Sequence, residues 1–315
     1  MSTFSPKLSV VVPVFNEEAV ILGTHYRLMR MAEGLCQTGA VSGFEIVYVD
    51  DGSMDGTLAL LRKICADCAQ AKVLSFSRNF GHQAALAAGL LHAAGEVVVS
   101  LDADLQDPPE LIAELIAKYR EGYEIVYAAR RGREADTRFK RGTARLFYTL
   151  MRWLGVELIY DHADYRLVSR KVVEEFRKMR EINLFLRGLF PFMGFPHAVV
   201  YYDRQERGAG VTKYSLWKML AFAWEGVTSF SSVPLKLASL AGFLVSAASL
   251  VLALWALGVK LAGWAIPGWA STVIPVFFIG GLNFLFLGVI GEYLAKIYAE
   301  VKKRPLYIVK SKYNF

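Results

Sequence analysis

Two long apolar stretches, residues 237–262 and 271–294, separate the C-terminal part of this chain from the rest. Each is long enough to cross a hydrocarbon core of about 30 Å as a helix. Tryptophans lie at one end of the pair and basic residues follow the other, as is typical of membrane interfaces. These anchors are Trp255, Trp264, Trp269, Lys302, Lys303 and Arg304. The pattern predicts two transmembrane helices, with two buried core helices as the alternative.

Composition and charge favour the membrane interpretation. A hydrophobic fraction of 54% and a mean hydropathy of +0.33 are too high for an ordinary soluble enzyme. The net charge of +7 could suit nucleic acid, but a basic cluster directly after the second apolar stretch favours an anionic membrane surface. The first residues lack the pattern of a signal peptide. We therefore expect the N-terminal domain and the C-terminal tail on the cytoplasmic side.

The first two hundred residues alternate short apolar runs with helical patterns, which is typical of a parallel sheet covered by helices. The predicted strands are residues 8–14, 44–50, 72–77, 97–102 and 124–128, and the predicted helices are 17–35, 55–68, 83–94 and 109–121. The strand ends then share one edge, and ligands bind at that carboxyl edge in open α/β sheets.

An acidic pair, Asp102 and Asp104, follows the apolar fourth strand. Two carboxylates at a strand end can bind a hard divalent cation, which in turn can neutralise a diphosphate. A lone Asp-x-Asp is weak evidence, because acidic loops are common. Its position directly after a buried strand strengthens the prediction of a metal site.

A second acidic cluster closes the second strand. Asp50 and Asp51 could accept hydrogen bonds from a nucleobase or a ribose, and Gly52 permits a tight turn. A capped turn into the next helix is the alternative. The first strand ends without a Gly-x-Gly-x-x-Gly turn, which argues against a dinucleotide-binding enzyme.

Several of these motifs occur together in one family. They are residues 13–17, 50–53, 78–81, 102–104 with Gln106, 108–110, 291–293 and 304–307. In this order they resemble the family 2 glycosyltransferases of GT-A fold, and among those the polyprenyl-phosphate glycosyltransferases. The resemblance implies an α/β GT-A (Rossmann-like) nucleotide-sugar domain, followed by interface helices and two transmembrane helices. It covers nearly the whole chain.

The resemblance also implies roles for the acidic motifs. The residues implied around the nucleoside are Pro13, Asn16, Glu17 and Asp51. The residues implied to hold Mg²⁺ or Mn²⁺ are Asp102, Asp104 and Gln106. Asp104 is also expected to be catalytic. Asp50 is the less certain of its pair, because the family pattern tolerates other residues there.

Asp164 lies in a segment that resembles the family's Gly-Asp-Phe-Arg-Leu motif, with alanine in place of glycine. The resemblance implies the position of a catalytic base. A phosphate acceptor is already largely ionised at neutral pH, so we expect Asp164 to orient the acceptor instead. A buried structural aspartate paired with Arg166 is the alternative.

Basic residues near the predicted site could bind phosphate oxygens. The candidates are Arg130, Arg131, Arg204, Arg207 and Lys213. Attachment to lipid headgroups is the alternative for the last three, and both roles could hold. The basic amphipathic run 138–153 could shape a lipid entry or be a solvated helix.

The predicted organisation is a cytoplasmic catalytic domain over residues 1–213, an amphipathic interface helix over 214–232, two transmembrane helices within 233–298 and a basic tail over 299–315. The expected protein is a multi-pass enzyme of the inner (plasma) membrane. It transfers a sugar, preferably from UDP-glucose, to undecaprenyl phosphate with inversion. GDP-mannose transfer of the dolichol-phosphate-mannose type and a non-catalytic scaffold are the alternatives. The expected partners include membrane lipid and no nucleic acid, and a homo-oligomer is compatible with this interpretation.

Overall fold

The computed structural model describes residues 5–104, 106–130, 162–179, 181–182, 184–202, 227–228, 231–261 and 268–315. They fall into two compact units. The α/β unit holds the described residues before position 203 together with residues 304–315. The helical unit holds the described residues from 227 to 303.

The α/β unit confirms the predicted alternation of strands and helices, with boundaries shifted by a few residues. Its elements are β1 (Lys7–Val14), α1 (Ile21–Gln37), β2 (Gly43–Asp50), α2 (Thr57–Asp67), β3 (Ala71–Phe76), α3 (His82–His92), β4 (Val97–Ser100), a 3₁₀ turn (Pro109–Leu111), α4 (Ile112–Arg120), β5 (Ile125–Arg130), β6 (His162–Ser169), α5 (Arg170–Lys178), α6 (Leu186–Phe192), β7 (His197–Tyr202) and β8 (Val309–Tyr313).

The strands form one sheet in the order β7-β5-β6-β4-β1-β2-β3-β8. Its central strands are parallel, as predicted: β1 pairs with both β2 and β4, and β2 pairs with β3. The sheet as a whole is mixed, however, and not the parallel sheet that the sequence predicts. β6 runs antiparallel to β4 and β5, and β8 runs antiparallel to β3. β6 was missed because the strand carries Asp164 and Arg166, which pair with each other and are buried.

The core lies on both faces of the central strands. Seven of the eight residues of β1 are buried, because helices cover the sheet on each side. α1 buries Ile21, Thr24 and Leu28 at helical spacing against the sheet. The carboxyl ends of β1, β2 and β4 therefore meet at one edge of a rigid layer.

The C-terminal residues join this sheet, which corrects the prediction of a separate basic tail over 299–315. β8 pairs with β3, and Tyr307 stacks on Phe76 at 5.0 Å between ring centroids. The Asn314 side-chain amide donates to the carbonyl oxygens of Cys65 at 2.7 Å and Ala71 at 2.9 Å. Basic residues alternate along β8, so its hydrophobic signal was too weak for a strand prediction.

The helical unit contains two long helices, α7 (Val233–Leu261) and α8 (Trp269–Lys302). Among the described residues, only Phe278–Lys302 combines the length and composition needed to cross a membrane, with a mean hydropathy of 1.6. A second transmembrane helix is therefore not confirmed. The predicted interface helix over 214–232 lies outside the described residues except at 227–228 and 231–232.

Candidate active site

A cleft of about 340 Å³ opens at the carboxyl edge of the central strands. Five of the predicted site residues line it: Pro13, Glu17, Asp51, Asp102 and Asp104. They come from the ends of β1, β2 and β4, which are neighbours in the sheet although they are distant in sequence. The predicted convergence of these motifs at one edge is confirmed.

Negative charge accumulates on one wall of the cleft. Burial raises the pKa of Asp102, and the carboxylates of Asp164, Asp104 and Asp107 raise it further against the opposing effect of His82. Burial likewise raises the pKa of Glu17, with added repulsion from Asp104. A cation at this wall would relieve the repulsion.

The residues predicted to hold a metal fit a hard divalent cation. The Gln106 main-chain N–H donates to Asp104 Oδ1 at 3.2 Å, so these two predicted ligands lie close together. The buried Oε1 of Gln106 has no hydrogen-bond partner in the described structure. No group of three or more His, Cys, Asp or Glu side chains is arranged for a metal within the described residues. Mg²⁺ nevertheless needs only one or two carboxylates when substrate phosphates complete its shell.

The two adjacent aspartates after β2 perform different tasks. Asp50 accepts hydrogen bonds from the Ser53 N–H at 3.1 Å and the Ser75 hydroxyl at 2.9 Å, so it stabilises the turn. Asp51 lines the cleft and accepts from the N–H groups of Phe80 at 2.6 Å and Gly81 at 2.9 Å. Burial raises the pKa of Asp51 against these two hydrogen bonds.

The turn after Asp51 needs glycine for two reasons. Gly52 has a φ of +71°, and a Cβ there would lie 2.4 Å from the carbonyl carbon of Arg78. The turn therefore packs directly on the loop that follows β3. This contact holds the two sides of the cleft together.

Asn16 joins two turns instead of lining the cleft. Its N–H donates to Ser53 Oγ at 3.0 Å, and its Oδ1 accepts from the Met54 N–H at 2.8 Å. Its φ of +56° lies in the left-handed region, which asparagine tolerates. Asn16 is therefore not among the residues that line the cleft, and its predicted contact with the nucleoside stays a prediction.

The buried Asp164 is the centre of a cluster of cationic and polar groups. Its Oδ1 accepts from Arg166 at 2.7 Å and from Arg187 Nε at 3.2 Å. Its Oδ2 accepts from Arg187 Nη2 at 3.2 Å and from Gln83 at 3.4 Å, and it lies 3.5 Å from His82 Nε2. The predicted pair with Arg166 is therefore present, within a larger cluster. His82 also lies 3.6 Å from Asp102 and so connects this cluster to the acidic wall.

The comparisons with known proteins agree with this architecture. The profile described as glycosyl transferase family 2 matches residues 9–177. The uncharacterized glycosyltransferase YkoT of Bacillus subtilis is 46% identical over 312 residues, which cover 98% of this chain and 93% of that protein.

This chain belongs to glycosyltransferase family 2.

Other relatives of this glycosyltransferase carry more specific names. The prophage bactoprenol glucosyl transferase homolog of Escherichia coli is 40% identical, covering 96% of this chain and 98% of that protein. The bactoprenol glucosyl transferase of Shigella phage SfII is also 40% identical, with 98% and 99% covered. A mannosyltransferase structure from Pyrobaculum calidifontis matches with a TM-score of 0.49 at 19% identity, covering 96% of this chain and 87% of that one. Family membership confirms the predicted glycosyltransferase, and its α/β domain with a mixed sheet is GT-A-like.

Several predicted phosphate-binding residues of the glycosyltransferase lie outside the described residues. These are Arg131, Arg204, Arg207 and Lys213, together with the basic run 138–153. Arg130 ends β5, where its main chain pairs with Tyr202. The roles of these five basic residues stay predictions.

Three side chains of the site were not predicted: His82, Gln83 and Arg187. His82 and Gln83 directly follow the motif at residues 78–81, so the adjacent motif was the available signal. Arg187 gave no sequence signal, because it lies on α6 and meets Asp164 only through the fold. The cluster around Asp164 is therefore a product of tertiary structure.

Proposed function

We propose that this glycosyltransferase moves a sugar from a nucleotide-sugar donor onto the phosphate of a polyprenyl lipid. The observation that carries the proposal is that His82, which lines the cleft, contacts both the acidic wall of the cleft and a neighbouring cluster of charged residues. An acidic wall at Asp102 and Asp104 suits a metal-bound diphosphate, and the cluster at Asp164 and Arg187 suits an approaching phosphate. His82 lies within reach of both.

The donor would occupy the half of the cleft between Pro13, Glu17 and Asp51. Asp51 is held rigidly by two main-chain N–H groups, yet each carboxylate oxygen retains a lone pair for a nucleoside group. Asp102, Asp104 and Gln106 would hold Mg²⁺ or Mn²⁺. The cation, when bound, supplies positive charge that stabilises the diphosphate as a leaving group.

The acceptor phosphate attacks C1 of the sugar in a single displacement. A bond forms between its oxygen and C1, while the bond from C1 to the diphosphate oxygen breaks. The nucleoside diphosphate leaves with the electron pair, and the anomeric configuration inverts. No proton must be removed from a dianionic phosphate, so a general base is not required.

Asp164 orients the acceptor side in this proposal. Burial alone would raise the pKa of Asp164, but hydrogen bonding with His82 and the charges of Arg166 and Arg187 hold it well below its ordinary value. A carboxylate this acidic is a poor proton acceptor at neutral pH. Its fixed charge instead holds Arg187, whose side chain is 33% exposed, on the same carboxylate that His82 of the cleft approaches.

UDP-glucose and undecaprenyl phosphate are our preferred donor and acceptor. The full-length relatives named bactoprenol glucosyl transferase support this pair for the present chain. GDP-mannose is the alternative donor.

The proposed location is the inner (plasma) membrane, with two spans and a cytoplasmic catalytic domain. The pairing of β8 with β3 supports an even number of crossings, since it brings the C-terminal residues to the same side as the α/β unit. If Phe278–Lys302 crosses the bilayer, an earlier segment must cross as well. α7 is that segment in our proposal.

Radiolabelled sugar transfer tests the proposed reaction. The purified full chain is incubated with UDP-[¹⁴C]glucose and undecaprenyl phosphate, with Mn²⁺ or EDTA, and the products are extracted into organic solvent. We expect label in the organic phase only when both Mn²⁺ and lipid phosphate are present. Parallel reactions with GDP-[¹⁴C]mannose decide the donor. Absence of lipid-linked label with every donor would refute the proposal.

Asp104→Asn tests the metal assignment within the same assay. Removing one carboxylate of the acidic wall should reduce transfer by a factor of about 100 or more and weaken metal-dependent nucleotide binding. The matched control is Asp67→Asn at the end of α2, which lies away from the cleft and should retain parental activity. Full activity of Asp104→Asn at saturating Mn²⁺ would show that the carboxylate pair is structural.

A further inference from the structure

Residues Phe80, Gly81, His82 and Gln83 form a continuous segment, called here the 80–83 strip, that leads from β3 into α3. At its first end, the N–H groups of Phe80 and Gly81 donate to the two carboxylate oxygens of Asp51 at 2.6 and 2.9 Å. Asp51 lines the proposed donor half of the cleft. The strip is therefore attached to the donor side by its main chain.

The other end of the strip is attached to the Asp164 cluster by side chains. Gln83 Nε2 donates to Asp164 Oδ2 at 3.4 Å, while Gln83 Oε1 accepts from the Leu186 N–H at 3.2 Å. Leu186 is the first residue of α6, where main-chain N–H groups have no partner within the helix. Gln83 thus connects Asp164 to the start of the helix that carries Arg187.

The strip has a defined backbone conformation between these two attachments. Gly81 has φ +99° and ψ 153°, a region of backbone space open essentially to glycine alone. The residues that follow the strip, Ala84 to Leu90, are buried in the core. The strip is short and is held by hydrogen bonds at both ends, so a shift at Asp51 has a direct path to Gln83.

We infer that Gln83 is a positioning residue for Asp164 and Arg187. Through the 80–83 strip, a change in the position of the Asp51 carboxylate also changes the positions of Asp164 and Arg187. This second step rests on the proposed function, in which a nucleoside diphosphate occupies the donor half of the cleft. Its binding next to Asp51 then fixes the positions of the Asp164 and Arg187 side chains on the acceptor side. The coupling is carried by one continuous stretch of chain, with hydrogen bonds at both ends.

Hydrogen exchange on the ligand-free full chain tests the inference without reference to activity. Gln83→Met keeps the side-chain length but removes both hydrogen bonds. We expect exchange at the Leu186 amide to become about fivefold faster, the effect of losing one hydrogen bond. Asp51→Asn loosens the opposite end of the strip, and we expect about twofold faster exchange at Leu186 although Asp51 does not contact α6.

Gln37→Met at the exposed end of α1 is the matched control and should leave exchange at Leu186 unchanged. Unchanged exchange in Gln83→Met would overturn the positioning role. Faster exchange in Gln83→Met with no change in Asp51→Asn would overturn the coupling. Equal acceleration in all three variants would indicate general destabilisation and would also contradict the inference.

Gln83→Glu separates the two hydrogen bonds and serves even if Gln83→Met does not fold. Its carboxylate still accepts from the Leu186 N–H, but it cannot donate to Asp164 and repels the Asp164 carboxylate instead. We expect parental exchange at Leu186, a kcat about tenfold lower and an unchanged dissociation constant for UDP with Mn²⁺. An unchanged kcat, or a kcat and nucleotide affinity that fall together, would overturn the inference. If the parent transfers no sugar, the proposed function fails. The hydrogen-exchange measurements still show whether Asp51 is coupled to Gln83 and to the Leu186 amide.

Discussion

At the residue scale, Asp164 illustrates how pairing limits the chemistry of a carboxylate. It is 6% exposed, and its partner Arg166 is 1% exposed. Burial lowers the pKa of Arg166 and Asp164 opposes that effect, so each stabilises the charge of the other. Such a pair suits a fixed electrostatic role, because neither member is poised to exchange protons near neutral pH.

Replacing Asp164 by Asn should lower turnover strongly and leave donor binding nearly intact. If Asp164 only orients an ionised phosphate, the rates of parent and variant should both follow acceptor ionisation, with an apparent pKa of about 6. pH–rate profiles at saturating donor measure this. Because the variant leaves Arg166 with fewer buried partners, we also expect it to be less stable by about 3 kcal/mol.

Two outcomes would change the assignment of Asp164. A further titration that the parent shows and the variant lacks would identify a general base. Loss of donor affinity in the variant would place Asp164 in the nucleotide site. Arg187→Met is the companion variant, since it removes a partly exposed member of the cluster while retaining the buried pair.

Thr24 shows that a buried hydroxyl can fix an active-site loop. Its Oγ1 donates to the carbonyl oxygen of Ala103 at 2.7 Å, between the two aspartates of the acidic wall. The side chain is 2% exposed and projects from α1. This hydrogen bond is the direct connection between α1 and the predicted metal loop.

Thr24→Val should weaken apparent Mn²⁺ affinity about fivefold, the cost of one neutral hydrogen bond. Valine keeps the shape of the side chain, so the fold should be retained. Mn²⁺ titrations of transfer activity measure the effect. Thr38→Val removes an exposed hydroxyl of similar geometry at the end of α1 and should leave the titration unchanged. Equal effects of the two variants would argue against a specific role for Thr24.

At the element scale, Glu45 joins three neighbouring strands at the amino edge of the sheet. Its Oε1 accepts from Ser9 Oγ on β1 and from the Ala94 N–H, each at 2.6 Å. Its Oε2 lies 2.8 Å from Lys72 Nζ on β3. Burial would raise the pKa of Glu45, but these hydrogen bonds and the lysine charge lower it overall from 4.5.

Glu45→Gln should therefore reduce stability at pH 7 by about 2 kcal/mol, with the difference fading in acid. A folded-state pKa below the unfolded value contributes stability above about pH 4.5, and that contribution is lost as pH falls through the folded pKa. A fluorogenic thiol dye can follow unfolding, since Cys36, Cys65 and Cys68 all lie in the α/β unit. A stability difference independent of pH would contradict the charged role.

The accuracy of the sequence predictions also differed by element. β1 to β5 were predicted because their buried apolar runs alternate with helical patterns. β6 and β8 carry charged residues, Asp164 and Arg166 in β6 and Lys310 and Lys312 in β8, which interrupt the apolar signal of a buried strand. β7, which pairs parallel to β5, was not predicted either. Local pattern was therefore sufficient for β1 to β5 and insufficient for the strands that follow them.

At the scale of the whole molecule, β8 constrains membrane topology. The strand follows α8 by a few residues and pairs with β3. A C-terminal green fluorescent protein fusion should therefore be fluorescent in the cytosol, and an alkaline phosphatase fusion at the same place should be inactive. Alkaline phosphatase inserted between α7 and α8, in residues 262–267, should be active outside the cytosol if both helices cross.

The reverse pattern at the C-terminus would reject the proposed topology. Cytosolic reporters at both positions would show that neither helix crosses and that the helical unit lies on one side of the membrane. The matched control is a fusion before residue 7, which should report the cytosol in either case.

The sequence by itself determined the alternating α/β core, the acidic motifs at the strand ends and the family of the enzyme. These features depend on residues close together in the chain, where hydrophobic periodicity and motif spacing are visible. Only the tertiary structure decided that Asp164 would meet Arg187 and Gln83, and that the C-terminal residues would complete the sheet. Those contacts join segments far apart in sequence, and their partners are selected by packing and burial, which no local pattern encodes.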